Sequence, residues 1–507
     1  MAISLVFLTI TTILSISFLT LLFLFRFLFF RPSKSSNLPP GPPCFPLLGN
    51  LLQLALSRKQ LIHYIPDLIP LYGPIFTLRF GSQTHIFITN PELAHEALIQ
   101  KSQLFASRPA ETPIRSIFSC NKFTVNSAFY GPDWRILRRN MVSNILSPTR
   151  LKTFDSLRQT AINRFIDHIR AESSSNSEIS VLRNTRFAVF HILISMCFGL
   201  DLHDNEINKI DILMKKVLIT ASPQMDDFLP LIKPFFAKKR AEAIKVRKEQ
   251  IDAIVPLINK RRGILENPAA HPDATNFSYL DSLLDLQVRN SAPPTDAELV
   301  TLCSEFLNGG TDTTATAIEW GIAELIDKPS IQSRIYEEIA AVVGKYARVI
   351  NENDTEGMVY LQAFVKELLR KHPPAYFTLT HAAVEDGKLG GYDVPKDANL
   401  EIYLPAIAQD PRLWKDAGEF KPERFLTGGE NADMTGVKEI KMIPFGAGRR
   451  VCPGMGMGMM HITLLLARMV QEFEWRNPAE KKLNFGSKFL FTVVMERPLR
   501  AIAVPRK

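Results

Sequence analysis

Pro444 to Gly454, PFGAGRRVCPG, sets one cysteine in a loop of glycine, proline and arginine. A cysteine kept for packing sits on an apolar face, because the free thiol behaves as a small hydrophobe; Cys452 does not. A thiolate that binds a metal needs backbone amides aimed at sulfur, close approach of the backbone and a cation to offset its charge. Glycines 446, 448 and 454 supply the first two because they lack Cβ, and Arg450 can supply the third. Upstream, NGGTDTTA places Gly309 and Gly310 before Asp312 and Thr313. Glycine inside a helix costs about 1 kcal/mol relative to alanine, which a kink or the close approach of a ligand would explain. An acid beside an alcohol can relay protons through water; threonines back-bonded on a polar helix face are the competing reading. Glu367 and Arg370 are i, i+3 neighbours on one helix face, and Arg424 follows in FKPERF. Trp134 and Arg138, four apart in GPDWRILRR, also share a face.

Phe445, Gly448, Arg450, Cys452 and Gly454 fit the signature F-x-x-G-x-R-x-C-x-G, and on it the chain resembles the cytochrome P450 family. W-x-x-x-R, A/G-G-x-D/E-T-T, E-x-x-R and PERF elements occur in the family's order, so the resemblance covers nearly the whole sequence. It implies a mainly α fold with small β-sheets, preceded by an N-terminal transmembrane helix. It also implies haem b (iron protoporphyrin IX), with Cys452 as axial thiolate to the iron, pushing electron density that favours O–O cleavage. By the same resemblance Phe445 shields the sulfur, Gly446 and Gly454 shape the cofactor loop, and Trp134, Arg138 and Arg450 meet the haem propionates. Asp312 and Thr313 assist protonation of bound oxygen. Glu367, Arg370 and Arg424 form a structural network. Substrate-facing segments are Ile114 to Val125, Phe306 to Gly310 and Ala375 to Leu379, where Gly309 and Gly310 leave room beside Phe306 and where Tyr376 and Phe377 narrow the pocket. Many members have alanine where Gly309 stands. Pro405 and Gln409 depart from the tryptophan and arginine that plant members often carry.

The implied reaction inserts one atom of O2 into a lipophilic substrate. No nicotinamide or flavin fingerprint is evident, so the electrons come from a separate donor, expected to be a membrane-bound NADPH-cytochrome P450 reductase. The sequence looks like a plant microsomal A-type member, and FLNGGTDTT with YLPAIAQDP resembles plant family 77. That suggests in-chain hydroxylation or epoxidation of fatty acids in cutin-type lipid metabolism. Alternatives are oxidation of another plant secondary metabolite, a haem-thiolate isomerase or dehydratase, which retention of Asp312 and Thr313 argues against, and a non-enzymatic membrane haem-binding protein.

These residues need a frame. Asp296 to about Lys328 reads as one long helix: Thr295 and Glu298 make a T-x-x-E capping box, and Pro329 marks the end. GPIFTLRFGSQTHIFITN reads as a hairpin about Gly-Ser-Gln. Ala2 to Phe25 carries no charge, which suits a bilayer-spanning helix of about 20 residues. Arg26, Arg31 and Lys34 follow it, which places the N-terminus in the lumen and all that follows in the cytosol. The expected organisation is a membrane anchor over residues 1–30, a basic, proline-rich hinge over 31–50 and a catalytic domain over 51–507, held at the endoplasmic reticulum membrane by a single pass. FLPLIKPFFAKKR, 228–240, is either a second membrane-touching patch or an ordinary loop with a solvated charge run. Five scattered cysteines without a CxxC indicate neither a disulfide framework nor a zinc site. A net charge of +9, spread along the sequence without a nucleic-acid module, points to membrane or an acidic protein partner rather than nucleic acid.

Overall fold

The capping box forms as the sequence predicts. The Glu298 amide donates to Thr295 Oγ1 at 3.3 Å, and the Thr295 amide to Glu298 Oε2 at 2.9 Å, so two orphan donors of a helix start are met. The helix that follows runs to Asp327, 32 residues, or about 48 Å at 1.5 Å per residue. The structure is a computed structural model that describes residues 11–23, 37–175, 178–270, 277–289, 292–344, 348–426, 432–478 and 482–506. The elements that matter for the site are, in sequence order, α1 (Thr11–Phe23), α2 (Pro132–Met141), α3 (Val181–Phe198), α4 (Ala237–Glu266), α5 (Asp296–Asp327), α6 (Val359–Lys371) and α7 (Met455–Glu472). Four strands, β1 (Ile75–Phe80), β2 (Gln83–Ile88), β3 (His381–Ala382) and β4 (Asn399–Ile402), make the largest sheet, in the order β1-β2-β4-β3.

α5 is central because its apolar residues do not keep to one stripe. Leu299, Leu302, Phe306, Ile318, Trp320, Ile322 and Leu325 are all buried, the pattern of a helix surrounded by protein. Gly321 lets α6 and α7 close on it: a Cβ there would lie 3.1 Å from Leu368 and 3.2 Å from Leu466. α3 covers another side. It is long and apolar enough to cross a membrane, but it is buried in the core.

The hairpin pairs Ile75 with Ile88 and Phe80 with Gln83, so Gln83 belongs to the strand and the turn is tighter than Gly-Ser-Gln implies. β2 then pairs in parallel with β4, and β3 adds antiparallel to β4, His381 opposite Leu400. The proline strap lies along β1, where the Thr77 amide donates to the Pro40 carbonyl at 2.7 Å.

Of the expected anchor, α1 is helical with Ile13, Leu14 and Phe18 exposed; the rest of 1–30, and the hinge up to residue 36, lie outside the described residues. The 228–240 segment is not a plain loop. Pro230–Phe236 is a 3-10 turn leading into α4, with Leu231 and Phe235 exposed at 70% and 84%.

Candidate active site

Phe445 to Gly454 folds into a tight loop at the head of α7. The Cys452 amide donates to the Phe445 carbonyl at 2.8 Å, and the Val451 amide to the Gly448 carbonyl at 3.1 Å. Gly446 and Gly448 have φ of +71° and +70°, a region that side chains with Cβ rarely adopt. A Cβ on Gly448 would also lie 1.9 Å from the Leu98 carbonyl oxygen, so the loop approaches its neighbour closer than any other residue permits. The Phe445 ring lies over Gly458, 3.5 Å from where its Cβ would be.

Cys452 is exposed although dense protein surrounds it, so solvent reaches its sulfur through an interior opening. Burial pushes the thiol up, while the Gly454 amide and the Arg138 guanidinium pull it down. The cation that acts on the sulfur is therefore Arg138, not Arg450 as the loop sequence implies. Arg450 turns away, donating to the carbonyls of Ala106 (2.6 Å), Val125 (3.1 Å) and Ala128 (2.6 Å).

Arg108, Arg138 and Arg450 lie within electrostatic reach of one another. Arg138 donates to the Val451 carbonyl at 2.7 Å. Arg108 donates to Asn126, Leu379 and Thr380 carbonyls at 2.8 to 3.0 Å. All described hydrogen bonds of the three go to main-chain oxygens, so no carboxylate offsets them directly. Burial lowers each, Arg108 to about 10 and Arg450 to about 9. His381 beside them is pushed down to about 3, first by burial and then by Arg108, and stays neutral. Glu401 acts on Arg108 and Glu305 on Arg450 without touching them, and buried cations without an anion in contact are costly. A cluster of three guanidiniums, one of which acts on a reachable thiol, fits a flat cofactor that carries two carboxylates and a metal, which is the donor set haem b requires.

Trp134 is buried with its indole N–H on the Val125 carbonyl at 3.1 Å, and the Arg450 guanidinium stacks on its ring at 4.5 Å. Trp134 thus supports Arg450, and its only side-chain donor is already engaged.

Along α5, Gly309 is exposed and Thr313 half-buried, just before the stretch Thr314 to Ile326, which is buried throughout. No atom lies within 4 Å of a Cβ on Gly309, whereas on Gly310 it would meet Leu193 Cδ1 of α3 at 2.7 Å. Gly309 borders open space; Gly310 is a helix-packing glycine and leaves no room for oxygen or substrate. Gly309→Ala should gain up to about 1 kcal/mol of helix propensity. Gly310→Ala must overpack a fully buried leucine, so the two variants are expected to differ by about 1–3 kcal/mol in chemical denaturation.

Thr313 Oγ1 back-bonds to the Gly309 carbonyl at 2.9 Å. Asp312 bonds to Arg186 of α3, which also holds Asp211 at 2.7 Å. The acid and the alcohol are adjacent in sequence but have separate partners. Phe306 is buried against Tyr279, ring centroids 5.2 Å apart. Tyr376 and Phe377 pack on Tyr403 of the sheet, at 6.3 and 5.2 Å. Phe306 is part of the core, whereas Tyr376 and Phe377 pack on the sheet and are each half-buried. Leu379 is 58% exposed, and Thr378 lies 4.0 Å from where a Gly446 Cβ would be, so this segment borders the cysteine loop.

Behind the loop, Glu367 and Arg370 are fully buried. Arg370 forks onto Glu367 with bonds of 2.6 and 2.8 Å, and Arg424 Nε and the Lys421 amide reach the same carboxylate at 3.3 and 2.8 Å. Sequence spacing does not single out Arg108, His381, Glu305 or Arg186. Glu305 and His381 stand next to apolar neighbours, a signal that could flag them, whereas Arg108 and Arg186 sit in mixed stretches.

A helical body with a reachable thiol in a glycine loop beside clustered, buried guanidiniums fits a haem-thiolate protein. The cytochrome P450 family model matches residues 39–502. Cytochrome P450 89A9 of Arabidopsis thaliana is 35% identical, covering 98% of this chain and 99% of that protein. Isoflavone 2'-hydroxylase of Glycyrrhiza echinata is 30% identical over 97% of this chain and 96% of its own length. A zebra fish cytochrome P450 solved with progesterone superposes with a TM-score of 0.72 over 88% of this chain and all of that one, at 24% identity, and so speaks to fold alone. The chain belongs to the cytochrome P450 family, as a plant haem b monooxygenase acting with O2, a redox partner and a small lipophilic substrate.

Proposed function

We propose that this enzyme hydroxylates or epoxidises a fatty acid at a position within its hydrocarbon tail. The observation that carries the reading is the open, apolar surface at Gly309 and Leu379. Gly309 borders open space on α5 and Leu379 is exposed beside a carbonyl that Arg108 holds, while Arg108 and Arg450 are committed to main-chain carbonyls and would be paired with the carboxylates of a bound haem. Such a wall suits a flexible hydrocarbon, and polar fixing groups are few. The resemblance of FLNGGTDTT to plant family 77 points the same way.

Haem b, when bound, supplies the oxygen chemistry; the protein's residues orient and protonate. Cys452 would hold the iron. Arg108, Arg138 and Arg450 would neutralise the haem carboxylates, which would otherwise be buried bare. Thr313 can hold a proton at Oγ1 on the open side of α5. Asp312 must exchange Arg186 for water before it can resupply that proton, so the ion pair gates delivery. Arg135, Arg139 and Arg449 are exposed, and Arg135 and Arg449 flank the Tyr130 ring, each 5.6 Å from its centroid. That face supports docking of an acidic, NADPH-dependent flavoprotein reductase. The exposed apolar side chains of α1 and of Leu231 and Phe235 support attachment to the cytosolic face of the endoplasmic reticulum.

Microsomes bearing the protein and a reductase, given NADPH, labelled O2 and a panel of free fatty acids, are expected to yield products oxidised within the hydrocarbon tail and containing one labelled atom. Products confined to phenolic or terpenoid candidates would sink the lipid assignment. Conversion of a hydroperoxide without NADPH would replace monooxygenation by isomerase chemistry.

A further inference from the structure

Val125 and Asn126 lie between the helix Pro113–Phe118 and α2, and side chains from elsewhere take all four of their main-chain polar groups. Both amides donate to one carboxylate, Glu305 of α5, Val125 to Oε2 at 2.8 Å and Asn126 to Oε1 at 2.6 Å. The Val125 carbonyl accepts from Arg450 and Trp134, each at 3.1 Å, and the Asn126 carbonyl from Arg108 at 2.8 Å. The dipeptide therefore hangs between a half-buried carboxylate and two buried cations. Its dipoles are oriented favourably toward both, N–H to the carboxylate and C=O to the guanidiniums. Glu305 also stands one turn before Gly309 and two before Thr313, on one stripe of α5.

We propose that Glu305 is a positioning residue: its carboxylate holds the Val125–Asn126 turn against α5 and, through the shared carbonyls, sets Arg108 and Arg450, the latter stacked on Trp134, where the two guanidiniums would meet the anionic cofactor. What those groups face rests on the haem-thiolate reading; the grip on the turn does not. Both carboxylate oxygens are used as acceptors, so a neutral acid or an amide loses one of the two bonds.

The groups that face Glu305 are Arg450, Glu111 and Tyr279, besides the two amides. Burial outweighs the amides and Arg450 and raises its carboxyl to about 7. The carboxylate is present above that pH, and the turn loosens as pH falls through it. Global stability moves the other way. The folded value lies above the unfolded one, so the folded protein binds a proton that the unfolded protein lacks between about 4.5 and 7. The stability from this group is full below that window and is lost as pH rises through it. The grip tightens where stability falls, an opposition that a residue serving only the fold would not show.

The test is hydrogen exchange by mass spectrometry on the full-length, haem-loaded protein at pH 6 and pH 8, corrected for intrinsic rates, comparing peptides over 119–131 with those of α7. In the wild type, protection over 119–131 should fall at least about tenfold from pH 8 to pH 6, the worth of one charge-assisted hydrogen bond. Glu305→Gln should show the low protection at both pH values, and at pH 8 it should unfold at or above the wild-type temperature. Equal wild-type protection at both pH values overturns the proposal, as does a Gln variant protected like the wild type at pH 8. Loss of protection across α7 as well would make Glu305 a residue of the fold and overturns it too. If the variant does not fold, the wild-type comparison alone decides. The reduced carbon monoxide spectrum of the same samples reports thiolate ligation separately, so failure of the haem-thiolate reading is distinguishable.

Discussion

Cys452→Ser is expected to abolish the thiolate signature in the reduced carbon monoxide spectrum and to reduce NADPH-dependent turnover by more than the roughly 10- to 100-fold typical of removing a group behind a metal ligand. The thiol is the only one of the described cysteines that combines an open sulfur, a φ-positive glycine loop and a cation acting on it. A serine hydroxyl does not ionise under these conditions: the Gly454 amide and Arg138 can help a thiolate form against burial, but they fall far short of what an alkoxide would require. The fold should tolerate the change, because the site opens to solvent and serine is no larger than cysteine; surface-type changes usually stay within about 0.5 kcal/mol. Serine at Cys120, Cys197 or Cys303 should leave the signature intact. A Cys452→Ser protein that keeps it would remove Cys452 as the iron ligand.

The parts of this site that are legible in sequence are those fixed by local spacing. The capping box at Thr295 and Glu298, the i, i+3 pair Glu367 and Arg370, and the glycine-bounded cysteine each bring their partners together within a few residues. The other parts depend on segments that only the tertiary fold joins. Glu305 meets Val125 across 180 positions, Arg108 meets Leu379 across 271 and Arg186 meets Asp312 across 126. Gly309 and Gly310 show a second limit. They are the same residue type side by side, but the turn of the helix between neighbours sends one toward open space and the other into Leu193. Tyr376 and Phe377 show a third: an aromatic pair in a substrate-facing segment looks the same in sequence whether it lines a pocket or closes the sheet against Tyr403. Arg450 meets the requirement for a cation near sulfur by sequence proximity, but Arg138, one turn of α2 beyond Trp134, meets it in space.

Glu367→Ala should abolish haem-loaded, folded protein rather than slow its turnover. Glu367 and Arg370 are both fully buried, and the one carboxylate accepts from Arg370, Arg424 and the Lys421 amide. Its removal leaves the Arg370 guanidinium buried with only the carbonyls of Ala408, Ala417 and Glu419, which satisfy hydrogen bonds but not charge. Breaking a buried pair from one side costs about 3–5 kcal/mol, a large part of the roughly 5–15 kcal/mol by which a folded protein is stable. The same reasoning makes the double variant informative. Glu367→Ala with Arg370→Ala removes both charges, so its loss should be smaller than the sum of the two single losses, a coupling of about 0.5–3 kcal/mol for groups in direct contact. Soret absorbance per mole of purified protein and the midpoint of chemical denaturation read both quantities. A Glu367→Ala protein that loads haem normally and unfolds within about 1 kcal/mol of the wild type would show that Arg424 and the surrounding carbonyls carry this network without the carboxylate.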